Sequence, residues 1–398
     1  MGNETAARSS ASSSNSVKRN IRRVDGRPRF QKTRCDAFLH DAQLGAPQCR
    51  HSKKHDGMTV EPGQRNSTSW IDDGDVIGLS VKLDDPMPLQ EMTPHHWAFA
   101  DAQFDIPAHW REWLGTIRTK EVENSKLFLL SKMRSQAPEI VDAETAKLKR
   151  HVGHFYAGLL LASPFAPAHK PVMLVGYRQN GEINVRSQDD YEPAVPSAVR
   201  HYPPVTLAEL QLAAKIANQI GIIETARLAG GHWRLFRVLQ LYLEARTIRD
   251  NMDRLHQYCR CIEGLIVPDI AKTKKQFKSR TELFIGPRHH DMMGKTYDVR
   301  SDVEHLHENK HLEAFDRAAR LELVKKLEMM EYITRSALVR IVLEAKLWPH
   351  FANTPALQAF WALDDKQRRA LWGAIINPTD ALADFDPSYI SDAQLGGP

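Results

Sequence analysis

Cysteine is scarce in this sequence. The four residues, Cys35, Cys49, Cys259 and Cys261, in a chain of 398 are too few and too unevenly spaced for a disulfide framework. Long apolar runs are lacking too: none reaches the ~18 residues a membrane span needs, and the N-terminus has no apolar core of a secretory signal. These absences point to a soluble, cytoplasmic chain with no membrane partner. The opening is rich in Ser and Arg and poor in acid, a composition that organelle transit peptides share, but a basic tail is the commoner explanation. No Gly-rich phosphate loop, Gly-x-Ser-x-Gly elbow or His-Glu-x-x-His helix occurs, no internal repeat is present, and no cofactor is implied.

What is present begins with charge. The net is +5, yet residues 1 to 55 hold twelve Lys/Arg against four Asp/Glu, so the rest of the chain is slightly acidic. Residues 1–30, with the serine run Ser9 to Ser14 and then Lys18, Arg19, Arg22, Arg23, Arg27 and Arg29, have almost nothing to bury and read as a disordered basic arm. Such an arm either solubilises the chain or draws it electrostatically to nucleic acid. Residues 31–205 read as an α+β domain. Val76 to Val81 is a strand, and Val172–Arg178 with Glu182–Val185 is a hairpin turned by Asn180-Gly181. Helices are expected over His109–Ile117, Ser125–Met133 and Ala143–Leu161, before a proline-rich linker at Pro193, Pro196, Pro203 and Pro204.

From 206 to 350 the pattern is helical. Thr206 is an N-cap for a helix to Leu228, and Gly230-Gly231 breaks it. Helices over Trp233–Arg249 and Met252–Val267 carry apolar residues at helical spacing, and Pro268 stops the second. A basic helix follows, Lys272 to Phe284, whose Lys272, Lys274, Lys275, Lys278 and Arg280 form either a solvated face or a track for RNA phosphates. Beyond the Gly286-Pro287 loop lies a helix holding Tyr297 to His307, and then a long helical run from His311 to Leu347. The tail, residues 351–398, holds a helix over Asp365–Ile376, with Trp361 and Trp372 placed to cap the bundle. The chain is therefore mainly α.

Candidate chemistry gathers in Tyr297-Asp298-Val299-Arg300-Ser301-Asp302-Val303-Glu304-His305-Leu306-His307. An arginine holds phosphate and a histidine titrates near neutral pH. The spacing alone says little, since Arg34/His40, Arg50/His55, Arg150/His154 and Arg227/His232 share it. On a regular helix five residues turn the chain about 140°, placing His305 off the Arg300 stripe, whereas seven return His307 to within about 20° of it. Both histidines therefore stay in play. Glu263, a carboxylate in an otherwise apolar helix, wants a partner, and Arg300 is the nearest in kind. The polar alternative pairs Arg300 with Glu304 at i,i+4 and leaves His305 merely exposed. A zinc site from Cys35, His40, Cys49, His51 and His55 lacks the paired short spacings of structural zinc, so no metal is expected. Cys259 and Cys261, two apart on one helix, suit packing. His289, His290, Met292 and Met293 read as loop surface.

Two apolar helices with Ala245, Leu255 and Cys261-Ile262-Glu263-Gly264-Leu265, a break at Pro268, a basic helix and then the Tyr297–His305 stretch resemble the HEPN family. The likeness is greatest to its abortive-infection, Apea-like branch, and it covers about residues 233–347. The resemblance implies an up-and-down helical bundle that pairs as a homodimer across a cleft. It also implies metal-independent endoribonuclease activity on RNA and a role as a toxin or antiviral effector, with an antitoxin or other regulatory partner. By position, Arg300 would hold the phosphate and His305, or else His307, would be the acid–base group. Ser301 and Asp302 would fill the small polar positions, and Glu263 would orient the arginine. Glu304 stands where that family usually has an apolar residue, and Leu306 where it often has glycine. A non-catalytic helical module for dimerisation or RNA binding is the alternative.

Overall fold

The computed structural model describes residues 75–395 apart from 84–89, 94, 101–107, 124–126, 135–140, 168–170, 180–181, 196–204 and 308–315. The expected basic arm, the Cys35–His55 cluster and the Asn180-Gly181 turn lie outside the described residues. All described residues belong to one compact unit, Gly45–Pro398.

Among the described residues, six antiparallel strands form one sheet in the order β2-β3-β4-β1-β5-β6: β1 (Asp75–Leu83), β2 (Gln90–Thr93), β3 (His96–Ala100), β4 (Leu127–Arg134), β5 (Val172–Gln179) and β6 (Glu182–Asp190). The hairpin pairs as the alternation predicts, Val172 opposite Asp190 and Gln179 opposite Glu182. One expectation is overturned. Ser125–Met133 is no helix; its Leu127-Phe128-Leu129-Leu130 run is strand β4, inside the sheet between β3 and β1. Those four residues are all buried. A short apolar run covered on both faces has no period by which strand and helix can be told apart.

Helix α1 (Ala108–Glu123) bends at Gly115, where φ is +73°. Helix α2 (Val141–Ala162) lies across β1 and β4 and carries α3 (Leu207–Leu228) on its other side. Gly158 permits this crossing: a Cβ there would stand 2.2 Å from the Ala213 carbonyl oxygen. Thr206 caps α3 as expected, in a capping box with Glu209.

The helical part continues with α4 (Trp233–Thr247), α5 (Asn251–Ile266), α6 (Thr273–Ile285), α7 (His290–Glu304) and α8 (Arg317–Leu343). Asp250 caps α5, and Asp316 caps α8. The long run expected from His311 is thus a helix from Arg317, with 311–315 outside the described residues. Helix α5 is central, touching α4, α6, α7 and α8. Its Gly264 lets α4 close in, since a Cβ there would meet Val238 Cγ2 at 2.5 Å. Tyr242, Tyr258, Phe277 and Phe284 fill the core.

A buried polar knot ties the layers together. Arg246 of α4 donates to the carbonyl of Leu160 at 3.0 Å and to that of Phe165, and faces Glu331 at 3.6 Å. Arg335 Nε donates to the same carboxylate at 3.0 Å. At the C-terminal side, α9 (Thr354–Ala362), absent from the sequence reading, precedes α10 (Asp365–Trp372). The latter stops at Trp372 rather than Ile376 because Gly373 adopts φ +85°. Trp361 Nε1 donates to the Leu265 carbonyl at 3.2 Å, and Trp372 packs on Phe284 at 4.5 Å. Both tryptophans therefore cover the end of the bundle. No helix among the described residues is long and apolar enough to cross a membrane.

Candidate functional site

Helices α5 and α7 meet along a seam that holds the candidate residues. Arg300 projects from α7 toward α5, where its Nη2 donates to Glu263 Oε2 at 3.1 Å. Both side chains are only 15% exposed, so the bond forms in a setting where an unpaired charge would be costly. Burial pushes the Glu263 carboxyl up from its ordinary range, and the adjacent guanidinium pulls it back down. The Arg300 guanidinium also sits over the Tyr297 ring at 5.6 Å, a cation–π contact. Phe277 of α6 supports that ring at 5.3 Å. Among the described residues, two buried atoms here have no hydrogen-bond partner, Arg300 Nε and Glu263 Oε1. The arginine is thus anchored to α5 through Nη2.

Glu304 Oε2 lies 3.9 Å from Arg300 Nη2 and 2.5 Å from His256 Nε2. The carboxyl of Glu304 is held low, first by the hydrogen bond from His256 and then by the charges of Arg300, His256 and Arg260. The seam therefore reads Glu263, Arg300, Glu304, His256: two carboxylates, one guanidinium and one imidazole.

Helix α7 ends at Glu304 in a Schellman motif. The amide of His307 donates to the Asp302 carbonyl at 2.9 Å and that of Leu306 to Val303 at 3.3 Å, while Leu306 takes φ +54°. Glycine is favoured at this left-handed position because it has no Cβ. Leu306 is 91% exposed, so packing gives nothing back for that backbone conformation. Leu306→Gly is expected to stabilise the fold by about 0.5–1 kcal/mol, read as a rise in the urea midpoint. An unchanged or lowered midpoint would contradict the strain at this helix end.

His305 and His307 emerge at this end, exposed, with ring centroids 5.6 Å apart. His307 Nδ1 stands 3.7 Å from Asp302 Oδ1. Ser301 and Asp302 are half-buried and serve the helix end through their carbonyls. Among the described residues no hydrogen bond, ion pair or ring contact joins Arg300 to either histidine.

The basic run divides. Lys272, Lys274 and Lys275 are exposed, with Lys274 paired to Asp298 of α7 at 2.5 Å. Lys278 lies along Gly294. Arg280 turns inward, donating to the carbonyls of Ile266 and Val267 at 2.6 and 2.5 Å and lying over Trp361. Its placement closes the C-terminus of α5. His290 bonds Glu282, and Met293 is buried. Cys259 and Cys261 are free thiols in the core, and burial pushes both up. No cluster of three or more His, Cys, Asp or Glu side chains among the described residues is placed to hold a metal ion.

Sequence reasoning missed His256. Its signal lay in α5, where His256, Arg260 and Glu263 recur at the four- and three-residue steps of one helical face. Comparison of the chain with family models, with curated proteins and with solved structures found no match.

Proposed function

We propose that this chain is a HEPN-type endoribonuclease that cuts RNA with Arg300 and His305, acting as a homodimer in which a second copy completes the cleft. The observation that carries the reading is the anchoring of Arg300 by Glu263 on the helix whose end presents His305 and His307 to solvent. RNA supplies its own nucleophile. His305 takes the proton of a 2′-hydroxyl, the 2′-oxygen bonds to phosphorus, and the 5′-oxygen of the next nucleotide leaves and is protonated. The products are a 2′,3′-cyclic phosphate and a 5′-hydroxyl. Arg300 neutralises the charge that develops on the phosphoryl oxygens, so the chemistry requires no metal. Lys272, Lys274 and Lys275 would hold flanking phosphates. Such an enzyme suits a toxin or antiviral effector in the cytoplasm, restrained by an antitoxin or other regulatory partner.

A second reading, a non-catalytic module for dimerisation or RNA binding, is favoured by one feature: Arg300 lies between two carboxylates, Glu263 and Glu304. The two readings separate in an assay with total RNA and EDTA. The wild type is expected to cut, and His305→Ala to slow cutting by about 10²–10⁴-fold, with His307→Ala close to wild type. Loss confined to His307→Ala would transfer the acid–base role to His307. Absence of cutting by the wild type would leave the non-catalytic module.

A further inference from the structure

Glu304 occupies a position where the sequence resemblance calls for an apolar residue, and the structure gives it a partner on the neighbouring helix. We propose that His256 is a positioning residue for Arg300: by binding Glu304 it keeps that carboxylate off the arginine and leaves the guanidinium able to receive an RNA phosphate. This rests on the ribonuclease reading above.

The geometry is a competition for one oxygen. Glu304 Oε2 is 2.5 Å from His256 Nε2 and 3.9 Å from Arg300 Nη2. Glu304 and Arg300 are one turn apart on α7, the spacing at which oppositely charged side chains pair directly. His256 is only 14% exposed and fixed to α5, whereas Glu304 is 43% exposed and able to swing. Removing the imidazole therefore releases the carboxylate onto Arg300, whose Nη2 already serves Glu263.

Charge points the same way. Glu263, Glu304 and Arg300 together carry one net negative charge, which repels a phosphate. The imidazole of His256 bonds Glu304 and draws that negative charge toward α5. Arg260 of α5 also lies near Glu304, and Tyr297 of α7 stands beside Arg300. Arg260 adds one positive charge beside Glu304, and Tyr297 is neutral, its phenol pushed up by burial.

The test measures binding of a 2′-deoxy-substituted oligoribonucleotide, which cannot be cut, by fluorescence anisotropy. His256→Ala is expected to weaken binding about tenfold, the loss of one charged hydrogen bond's worth of affinity. The double variant His256→Ala/Glu304→Leu is expected to return to wild-type affinity or better, which a merely structural role for His256 would not produce. Binding by His256→Ala equal to wild type, or a double variant as weak as His256→Ala, overturns the proposal. Arg300→Ala separates the failures. If it loses binding while His256→Ala does not, only this inference falls; if it binds as wild type, the phosphate role of Arg300 falls and the inference with it.

Discussion

Arg300→Ala is expected to slow RNA cutting by about 10³-fold, the loss that follows removal of one preorganised donor to a developing oxyanion. It should also weaken the fold, and the two effects can be separated. Removing the guanidinium leaves Glu263 at 15% exposure with its carboxyl already pushed up by burial. The cost of leaving such a group unsatisfied is about 1–3 kcal/mol. Arg300→Ala/Glu263→Gln removes the buried charge as well, and is expected to recover most of the urea midpoint while cutting no faster than Arg300→Ala. Recovery of cutting in the double variant would show that Arg300 serves only to neutralise Glu263. Arg300→Lys is expected to fall between, since an ammonium keeps the charge and loses the fork of donors.

The second large effect is acid lability, and it arises far from the seam. Where β3 meets α2, His96 is 3% exposed and its Nε2 lies 3.2 Å from the carbonyl oxygen of His151. The His95 and His151 rings stand 5.4 Å apart, and His154 reaches Glu224 of α3 at 3.3 Å. Burial lowers His96 to about 4, and burial with the charges of His95, His96, His154 and Lys147 lowers His151 to about 3. Both folded values lie below the ordinary 6.5, so the folded chain holds these rings neutral. Above pH 6.5 neither state is protonated and stability is unaffected. Between pH 6.5 and about 4 the unfolded chain takes up protons that the folded chain refuses, at about 1.4 kcal/mol per pH unit for each histidine. By pH 4.5 the pair is expected to cost on the order of 5 kcal/mol, a large part of an ordinary domain's stability. Far-ultraviolet circular dichroism against pH should show unfolding in this window, and His96→Asn should move the midpoint downward. Coincident curves for wild type and variant would contradict this role for the cluster.

Much of the fold was legible because its ends are chemically marked. Thr206, Pro268 and the Gly286-Pro287 pair bound helices α3, α5 and α6 within a residue or two of their expected limits. The pairing of Glu263 with Arg300 followed from the cost of an isolated carboxylate in an apolar helix, and the structure places them 3.1 Å apart. Strand β4 was misread because an apolar run buried on both faces carries no period. Strand β2 was missed because four residues, Gln90–Thr93, are too short to show alternation. His256 shares a face of α5 with Arg260 and Glu263, but its partner Glu304 is 48 residues away, and that spacing alone does not name a partner on another helix. Leu306 was legible as a departure from glycine, but its φ of +54° was not, since a left-handed residue is set by the hydrogen bonds that close the helix.

The most direct measurement is of the ends that wild-type protein leaves on RNA in the presence of EDTA. The account predicts 2′,3′-cyclic phosphates and 5′-hydroxyls, with no cut at a linkage whose 2′-hydroxyl is replaced by hydrogen. Cutting at that 2′-deoxy linkage, or 5′-phosphate ends, would contradict it.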